Sequence, residues 1–325
     1  MKMITKKWAL WVIVGLAICA VSTIESCKKS SSSTTVTPPP PPPPSGPTSS
    51  SDSVEPQALK LHWAFDGTPN DSVLGLQGTA VGGSYVTGVL GKAWQGSSTS
   101  YITVPTGTDS TTLGGEFGSY SVSVWYQLPT AVRPTSGGTA QGIFFMSGEN
   151  PGADGNEFIL EADIASANQL ATDSVPIHNG FNNVGGPAGS WQGFTLATYD
   201  TTKSTWVNIV MTYNGASSQY VFYQNGTPLP DQSAFGYETP DTLYDGPLPL
   251  GSGSPATQLM GNLVFAPDNP QMFYIGCWPP GLYGVSQTLG ANGNFQGALD
   301  ELRVWNIALT KQDVVYLYQD GSAGK

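Results

Sequence analysis

Glu161 and Asp163 lie two positions apart in a strand-like segment, a spacing at which two carboxyl groups could act together in acid–base catalysis. Side chains two positions apart project from the same face of a strand, so both carboxylates would share one face. Hydrolysis of a glycosidic bond by the retaining route uses two carboxyl groups about 5 to 5.5 Å apart. Ala165 and Ser166 follow, so no third carboxylate extends the pair. The pair is a candidate for hydrolysis, with solvated strand acids as the alternative interpretation.

Aromatic residues in irregular segments form a second candidate site. Trp191 and Tyr283 lie in glycine-containing segments, and Trp278 precedes two prolines. Flat aromatic rings stack on the C–H faces of sugars, so exposed rings at these positions would make a carbohydrate-binding platform. The alternative is that each ring covers the edge of the fold as packing.

The histidines and cysteines argue against zinc sites and disulfide frameworks. Neither His62 nor His178 has a second ligand at metal spacing. Cys19 and Cys27 lie near the N-terminus, and Cys277 lies in an apolar run that predicts a buried thiol. The sequence also contains no Gly-x-Ser-x-Gly elbow and no phosphate-binding glycine loop.

Residues 1–26 predict a signal peptide. Three lysines precede an apolar run of fourteen residues, which is shorter than the roughly 20 residues that span a bilayer. The following run, Ser22-Thr-Ile-Glu-Ser-Cys27, resembles a relaxed bacterial lipobox, in which small residues lead to an acylated cysteine. Cys27 is therefore the predicted lipidation site, although Glu25 departs from the usual pattern. An ordinary signal peptide or a membrane anchor is the alternative.

Residues 27–57 predict a disordered tether, and residues 58–325 a single large domain. The tether is rich in Ser, Thr and Pro and cannot bury a core. Its seven consecutive prolines, residues 38–44, favour a stiff polyproline II rod about 20 Å long. A lipid on Cys27 would thus attach the domain to a membrane without crossing it.

The charge of the chain restricts its partners. The formal net charge is −11, and five of the 12 lysines and arginines lie within the first 29 residues. An acidic domain repels nucleic acid and polyanionic glycans. Neutral glycans and protein surfaces remain as partners, and the carboxylates are suitable ligands for a hard cation such as calcium.

Many short alternating segments predict an all-β fold. The 40 glycines and 26 prolines favour frequent turns, and short apolar segments recur between them from Leu59 to Cys277. Asn225-Gly226 is typical of a type I′ hairpin turn, in which both central residues have positive φ. The count and spacing predict two packed antiparallel sheets in a jelly-roll sandwich.

The end of the chain predicts an internal strand followed by one short helix. Both faces of residues 295–305 carry apolar side chains, which is typical of a strand covered on both sides. Thr310 and Asp313 have the spacing of an N-terminal capping pair, and Gly321 is the predicted helix stop. The opening and closing strands are expected to be neighbours.

The motif Gly297-Ala-Leu-Asp-Glu-Leu-Arg-Val-Trp-Asn306 resembles the closing strand of laminin-G-like domains in the concanavalin A-like lectin/glucanase superfamily. Leu61-His-Trp-Ala-Phe-Asp-Gly67, Ser121-Val-Ser-Val-Trp125 and Tyr223-Gln-Asn-Gly226 appear in the same order as in that family. The resemblance covers about residues 58 to 319. It implies the fold, but not one function, because lectins, glycosidases and adhesion modules share this fold.

The resemblance also implies a structural calcium site at Asp66 and Asp300, because related domains hold calcium with acidic residues at these two positions. Loop carbonyls and water would complete the six to eight oxygens that calcium prefers. The alternative is that Asp66 caps a turn with Gly67 and that Asp300 accepts hydrogen bonds from backbone amides.

Taken together, these features predict a lipoprotein of the bacterial cell envelope, anchored in the outer membrane, that binds carbohydrate and does not cleave it. A module that binds proteins in adhesion or assembly is the first alternative. A glycoside hydrolase related to laminarinases is the second, because Glu161 and Asp163 resemble part of their Glu-x-Asp-x-x-Glu run.

Overall fold

The computed structural model describes residues 51–106, 117–129, 140–147, 156–162, 174–183, 189–198, 204–230, 241–245, 258–264, 272–280, 288–289 and 293–324. In chain order the elements are a 3-10 helix (Ser51–Ser53), β1 (Leu59–Trp63), β2 (Thr79–Val81), β3 (Ser84–Thr87), β4 (Lys92–Gln95), β5 (Tyr101–Pro105), β6 (Tyr120–Gln127), β7 (Gln141–Ser147), β8 (Asn156–Ala162), β9 (Ser174–Asn183), β10 (Gly189–Thr198), β11 (Val207–Asn214), β12 (Gln219–Gln224), β13 (Thr227–Pro228), β14 (Asp241–Thr242), β15 (Tyr244–Asp245), β16 (Gln258–Leu259), β17 (Met272–Ile275), β18 (Ala298–Trp305) and α1 (Lys311–Ala323).

The strands form two large antiparallel sheets. Sheet A has nine strands in the order β13-β12-β11-β6-β18-β4-β3, with β1 beside β18 and β14 beside β12. Sheet B has seven strands in the order β10-β9-β8-β7-β17-β5-β2. Strands β15 and β16 form a separate two-stranded ribbon. This arrangement confirms the predicted all-β sandwich with one short C-terminal helix.

The core lies between the two sheets and is rich in aromatic rings. Trp63 of sheet A lies 5.7 Å from Phe144 and 5.5 Å from Phe273 of sheet B, measured between ring centroids. Tyr120 lies 5.4 Å from Phe158 in the same way. Burial of such large apolar side chains is the main force that holds two sheets together.

The opening and closing strands are neighbours, as predicted. β1 pairs antiparallel with β18, so that Leu61 lies opposite Val304 and Trp63 opposite Leu302. All eight residues of β18 are buried, as expected of a strand covered on both faces. A β-bulge interrupts its pairing with β6 between Asp300 and Arg303.

Helix α1 begins as predicted but ends later. The Thr310 hydroxyl accepts from the amide of Asp313, whose carboxylate accepts from the amide of Thr310, so the capping box is present. Gly321 lies inside the helix, which ends with Gly324 as its C-cap. A side chain at Gly321 would meet the Trp125 ring, so this glycine permits close packing and does not end the helix.

Residues 51–57, which the sequence assigns to the tether, have a defined structure together with the domain. The 3-10 helix at Ser51–Ser53 lies in the predicted tether, and Val54 is buried in a cluster with Trp305 and Leu317. All described residues belong to one unit, Gly46–Lys325. The folded part therefore includes residues 51–57.

Local turn chemistry was predicted correctly, whereas several strands were not. Asn225 and Gly226 have φ values of 50° and 74°, as the type I′ turn between β12 and β13 requires. Strand β9 was missed because Pro176, Gly180 and several asparagines interrupt its sequence pattern. The hairpin of β3 and β4 and the edge strand β2 were also missed.

Candidate ligand-binding face and candidate calcium site

Along β2, β5 and β17, the outward residues of sheet B are half-buried or exposed among the described parts of the chain. Ile102 and Val104 of β5 point into the core, so the alternating residues Tyr101 and Thr103 point outward and are half-buried. We use the name open strip for five of the outward residues of these strands: Val81, Tyr101, Thr103, Met272 and Tyr274. None of them carries a charge at neutral pH.

Two tyrosines dominate the open strip. Thr103 lies directly opposite Tyr274, which makes Tyr101 and Tyr274 diagonal neighbours on one face, a relation that separates residues by about 7 to 8 Å. Burial raises the pKa of Tyr274, and Cys277 nearby raises it further. The Tyr274 hydroxyl therefore stays protonated and can both donate and accept a hydrogen bond.

Trp278 lies on the same side of sheet B but is largely covered. Its ring packs with Phe145 and Ile159, and its exposed fraction is 7%. The chain at Gly293 passes so close to the ring that a side chain there would collide with it. The structure thus assigns Trp278 to packing, the alternative interpretation, and leaves little of the ring open to a sugar.

Glu161 lies on this outer face and is hydrogen-bonded to a histidine. His178 Nδ1 lies 2.7 Å from Glu161 Oε1, and the two residues are directly opposite each other in β8 and β9. Both are buried, with exposed fractions of 2% and 4%. Asp163, the second carboxylate of the candidate pair, lies outside the described residues. Sequence analysis missed the pairing with His178 because it depends on the register between two strands.

Asp66 and Asp300 both contact the turn between β3 and β4. Val89 and Leu90 donate their amide protons to Asp300 Oδ2 at 2.7 and 3.2 Å. Lys92 donates its amide proton to Asp66 Oδ1 at 2.6 Å. The two acidic residues predicted to share a calcium site thus come to the same turn, where both accept from backbone amides.

Asp300 has a second oxygen that these amides do not reach. Its Oδ1 is buried without a hydrogen-bond partner, and the residue has no exposed surface. Burial and, to a smaller extent, the charge of Glu301 raise the pKa of the Asp300 carboxyl to about 8, while neighbouring amides oppose the shift. A cation beside Oδ1 would offset both effects, so the residue fits a calcium ligand. In the part of the chain described, no group of three or more His, Cys, Asp or Glu residues could hold a metal ion.

A buried charged cluster that sequence analysis missed lies on the outer face of sheet A. Arg303 Nη2 lies 3.0 Å from Asp52 Oδ1 and also forms an ion pair with Glu301. His62 lies between two carboxylates, with Nε2 3.1 Å from Glu301 and Nδ1 3.3 Å from Asp52. Glu301 adopts a positive φ of 52° at the bulge, which turns both Asp300 and Glu301 away from the core. The contact with Asp52 spans 251 residues of sequence, so no local pattern indicated it.

The remaining predicted site residues cannot be placed in full. Cys27 and Tyr283 lie outside the described residues. Trp191 lies in β10 opposite Phe181, and only its backbone is described. Among the described residues, no helix has both the length and the apolar character to cross a membrane.

No protein-family model matches the chain, and no curated protein matches it. Among solved structures, domain 4 of AbnA, an extracellular GH43 arabinanase from Geobacillus stearothermophilus solved with arabinotriose, is 19% identical with a TM-score of 0.46, over 80% of this chain and 98% of that one. The binding domain of botulinum neurotoxin serotype G is 14% identical, with a TM-score of 0.46, over 80% of this chain and 50% of that one. The binding domain of Paraclostridial Mosquitocidal Protein 1 is 12% identical, with a TM-score of 0.46, over 80% and 51%. The chain therefore spans about half the length of the two toxin structures.

Proposed function

We propose that this protein is a lipid-anchored binding protein of the bacterial cell envelope whose laminin-G-like sandwich recognises neutral carbohydrate. The open strip is the observation that carries the proposal. Tyr101 and Tyr274 offer two half-buried rings on one flat face, and a rigid sheet holds them in place. Rings of this kind stack on sugar C–H faces, while their hydroxyls bond sugar hydroxyls.

The charge distribution supports a neutral ligand. The open strip contains no charged residue, and the chain as a whole has a net charge of −11. The negative charge of the protein would repel a polyanionic glycan, and the open strip has no cation to pair with it. A neutral saccharide encounters no such repulsion.

Binding without cleavage is part of the proposal. Glu161 accepts a hydrogen bond from the His178 ring and is almost fully buried. A retaining hydrolase requires two carboxyl groups about 5 to 5.5 Å apart, whereas the described partner of Glu161 is an imidazole ring. Among the described residues, the pair supports a buried polar contact better than a nucleophile and its acid.

The anchoring part of the proposal rests on the sequence. Cys27 follows an apolar run with the length of a signal peptide and precedes a solvated spacer. Replacing Cys27 by serine should move the protein from the membrane fraction of cells to the soluble fraction. If the Cys27→Ser protein remains in the membrane fraction to the same extent, the lipid anchor is refuted.

A glycan array tests the carbohydrate part. Wild-type protein should bind one class of neutral glycan, and Tyr101→Ala with Tyr274→Ala should weaken that binding roughly tenfold or more. Tyr316→Ala is the matched control. Tyr316 is also a half-buried tyrosine, but it packs against the cluster of Val54, Trp305 and Leu317 on the outer face of sheet A. A wild-type protein that binds no neutral glycan would refute the proposal in favour of a protein partner. Release of reducing sugar that stops with Glu161→Gln would identify an enzyme instead.

We further propose a structural calcium ion at Asp300 and Asp66. The support comes from the buried, unbonded Oδ1 of Asp300, since a carboxylate without a compensating cation is costly in such a place. Asp300 and Asp66 would hold the ion and would fix the turn between β3 and β4. The ion would supply charge compensation and no chemistry of bond cleavage.

A further inference from the structure

The first strand that follows the tether, β1, is a short edge strand. β1 has five residues, and among the described strands it pairs only with β18. Tension on the N-terminal end of an edge strand breaks its ladder one hydrogen bond at a time, because neighbouring bonds do not share the pull. When a tethered protein holds a ligand under tension, β1 would therefore separate from β18 first unless other contacts carry the force.

Residues 51–58, which we call the clasp, provide that protection. Four contacts link the clasp to elements about 250 residues away. The Ser51 amide donates to Asp320 Oδ2 at 2.8 Å, Arg303 Nη2 to Asp52 Oδ1 at 3.0 Å, Trp305 Nε1 to the Val54 carbonyl at 3.0 Å, and the Asn306 amide to the Ala58 carbonyl at 3.0 Å.

The path of the chain places these contacts between the tether and β1. Glu55 has a positive φ of 45°, and its carbonyl accepts from the amides of Ala58 and Leu59 at 2.9 and 3.1 Å. The chain therefore reverses direction at Glu55 before it enters β1. Residues 51–54 lie over the outward side of β18. Tension applied at Ser51 therefore loads the contacts of these residues before it loads the pairing at Leu59.

We propose that the clasp transmits tension on the tether to β18 and α1 and so prevents β1 from peeling away. This inference rests on the proposed anchoring of the chain at Cys27. β18 is suited to the task, because β6 pairs with one of its edges while β1 and β4 share the other. Its eight residues are all buried.

The Arg303 guanidinium is the central contact of the clasp. Its side chain is 4% exposed and lies between the carboxylates of Asp52 and Glu301. Hydrogen bonds between charged groups are the stronger kind, and a buried arginine with a fixed geometry loses little entropy on forming them. The Asp52 side chain is 55% exposed, so solvent weakens this contact, and the remaining clasp contacts must share the tension.

Single-molecule pulling on the full chain tests the inference. One handle is attached to the thiol of Cys27, in place of a lipid, in a Cys19→Ser background; Cys277 is buried and unreactive. The second handle is attached through Thr103→Cys on the open strip, where a ligand would pull. At fixed force, Asp52→Ala should raise the rate of the first opening step about tenfold, or about 1.4 kcal/mol.

A second pulling direction is the control. With Cys27→Ser and handles at Thr103→Cys and Lys325→Cys, the force enters through α1 and bypasses Asp52, so Asp52→Ala should leave the opening rate unchanged. An equal opening rate for wild type and Asp52→Ala in the first geometry overturns the inference, and so does an equal change in both geometries. Thermal melting at zero force verifies that the variant is folded. Because a handle replaces the lipid, the result does not depend on whether Cys27 is acylated, which the fractionation of Cys27→Ser tests separately.

Discussion

The outer faces of the two sheets follow the same alternation of side chains but differ in what covers them. On sheet A, the clasp and α1 lie over β18, and Trp125 stacks on Tyr318 with ring centroids 5.7 Å apart. On sheet B, the open strip leaves Tyr101 and Tyr274 half-buried along an edge. The outer face of sheet A therefore has partners from its own chain, whereas the open strip of sheet B has the exposure that the proposed ligand site requires among the described residues.

The polar groups on the two faces differ in a related way. On sheet A, Arg303 forms ion pairs with Glu301 and Asp52, and the His62 ring lies beside both carboxylates. The open strip carries hydroxyl groups and no charge. Buried charged groups are tolerated in a stable fold only when each one is paired. Uncharged hydroxyl groups on an exposed face can instead replace their bound water with a ligand. The comparison predicts that substitutions on sheet A change stability and that substitutions in the open strip change binding.

Arg303→Ala should have the largest effect. It leaves Glu301 buried without its cation, and loss of one member of a buried ion pair costs about 3 to 5 kcal/mol. Chemical denaturation should show this loss in the free energy of unfolding, while the fraction that remains folded keeps its glycan affinity. A free energy of unfolding within about 0.5 kcal/mol of the wild-type value would show that the cluster on sheet A does not support the fold.

Calcium and pH should act together at Asp300. Burial raises the pKa of this carboxyl to about 8, so between pH ~4 and ~8 the folded state holds a proton that the unfolded chain has released. In chelator, the free energy of unfolding should therefore fall as pH rises through this range, by roughly a few kcal/mol. Asp300→Asn should remove that slope.

Added calcium should raise the melting temperature of wild type near pH 8 and leave Asp300→Asn unchanged, with magnesium as the matched control ion. Differential scanning calorimetry measures both effects. A wild-type melting temperature that calcium does not shift would contradict the calcium proposal, whatever the pH slope in chelator.

Tyr274→Phe should have a smaller and selective effect. It removes one hydroxyl from the open strip and keeps the ring, so the glycan affinity should fall about threefold to tenfold, as loss of one hydrogen bond predicts. The free energy of unfolding should change by less than about 0.5 kcal/mol. A loss of stability without a loss of affinity would place Tyr274 with the structural residues of sheet A.

Thr310→Ala should have the smallest effect on sheet A. The capping box at the start of α1 would lose one of its two hydrogen bonds, which costs about 1 kcal/mol of stability. Denaturation measures this cost, and glycan binding provides the control. A lower glycan affinity in the folded variant would show that the two outer faces are not independent.

Local patterns in the sequence predicted those features of the fold that neighbouring residues determine. Thr310 with Asp313 predicted the helix start, and Asn225-Gly226 predicted a hairpin turn, because each depends on a few adjacent residues. The pairing of β1 with β18 was expected from the jelly-roll arrangement, in which the first and last strands can be neighbours. Gly321 was misjudged because its role depends on Trp125, nearly 200 residues earlier.

The candidate sites were harder to predict because they depend on register and on distant segments. Met272-Phe-Tyr-Ile275 has apolar side chains on both faces, so the sequence does not show which side faces the core. His178 meets Glu161 only through the alignment of β8 with β9. Asp52 was assigned to the tether on composition, since Ser and Pro surround it, and its partner Arg303 lies at the other end of the chain.

Hydrogen exchange on the free and glycan-bound protein tests the central claim most directly. With the neutral glycan selected on the array, amides of β2, β5 and β17 should become more protected, while those of the clasp and α1 should not change. Protection confined to the clasp and α1, or none in the open strip at saturating glycan, would contradict the claim that this protein binds its ligand through the outer face of sheet B.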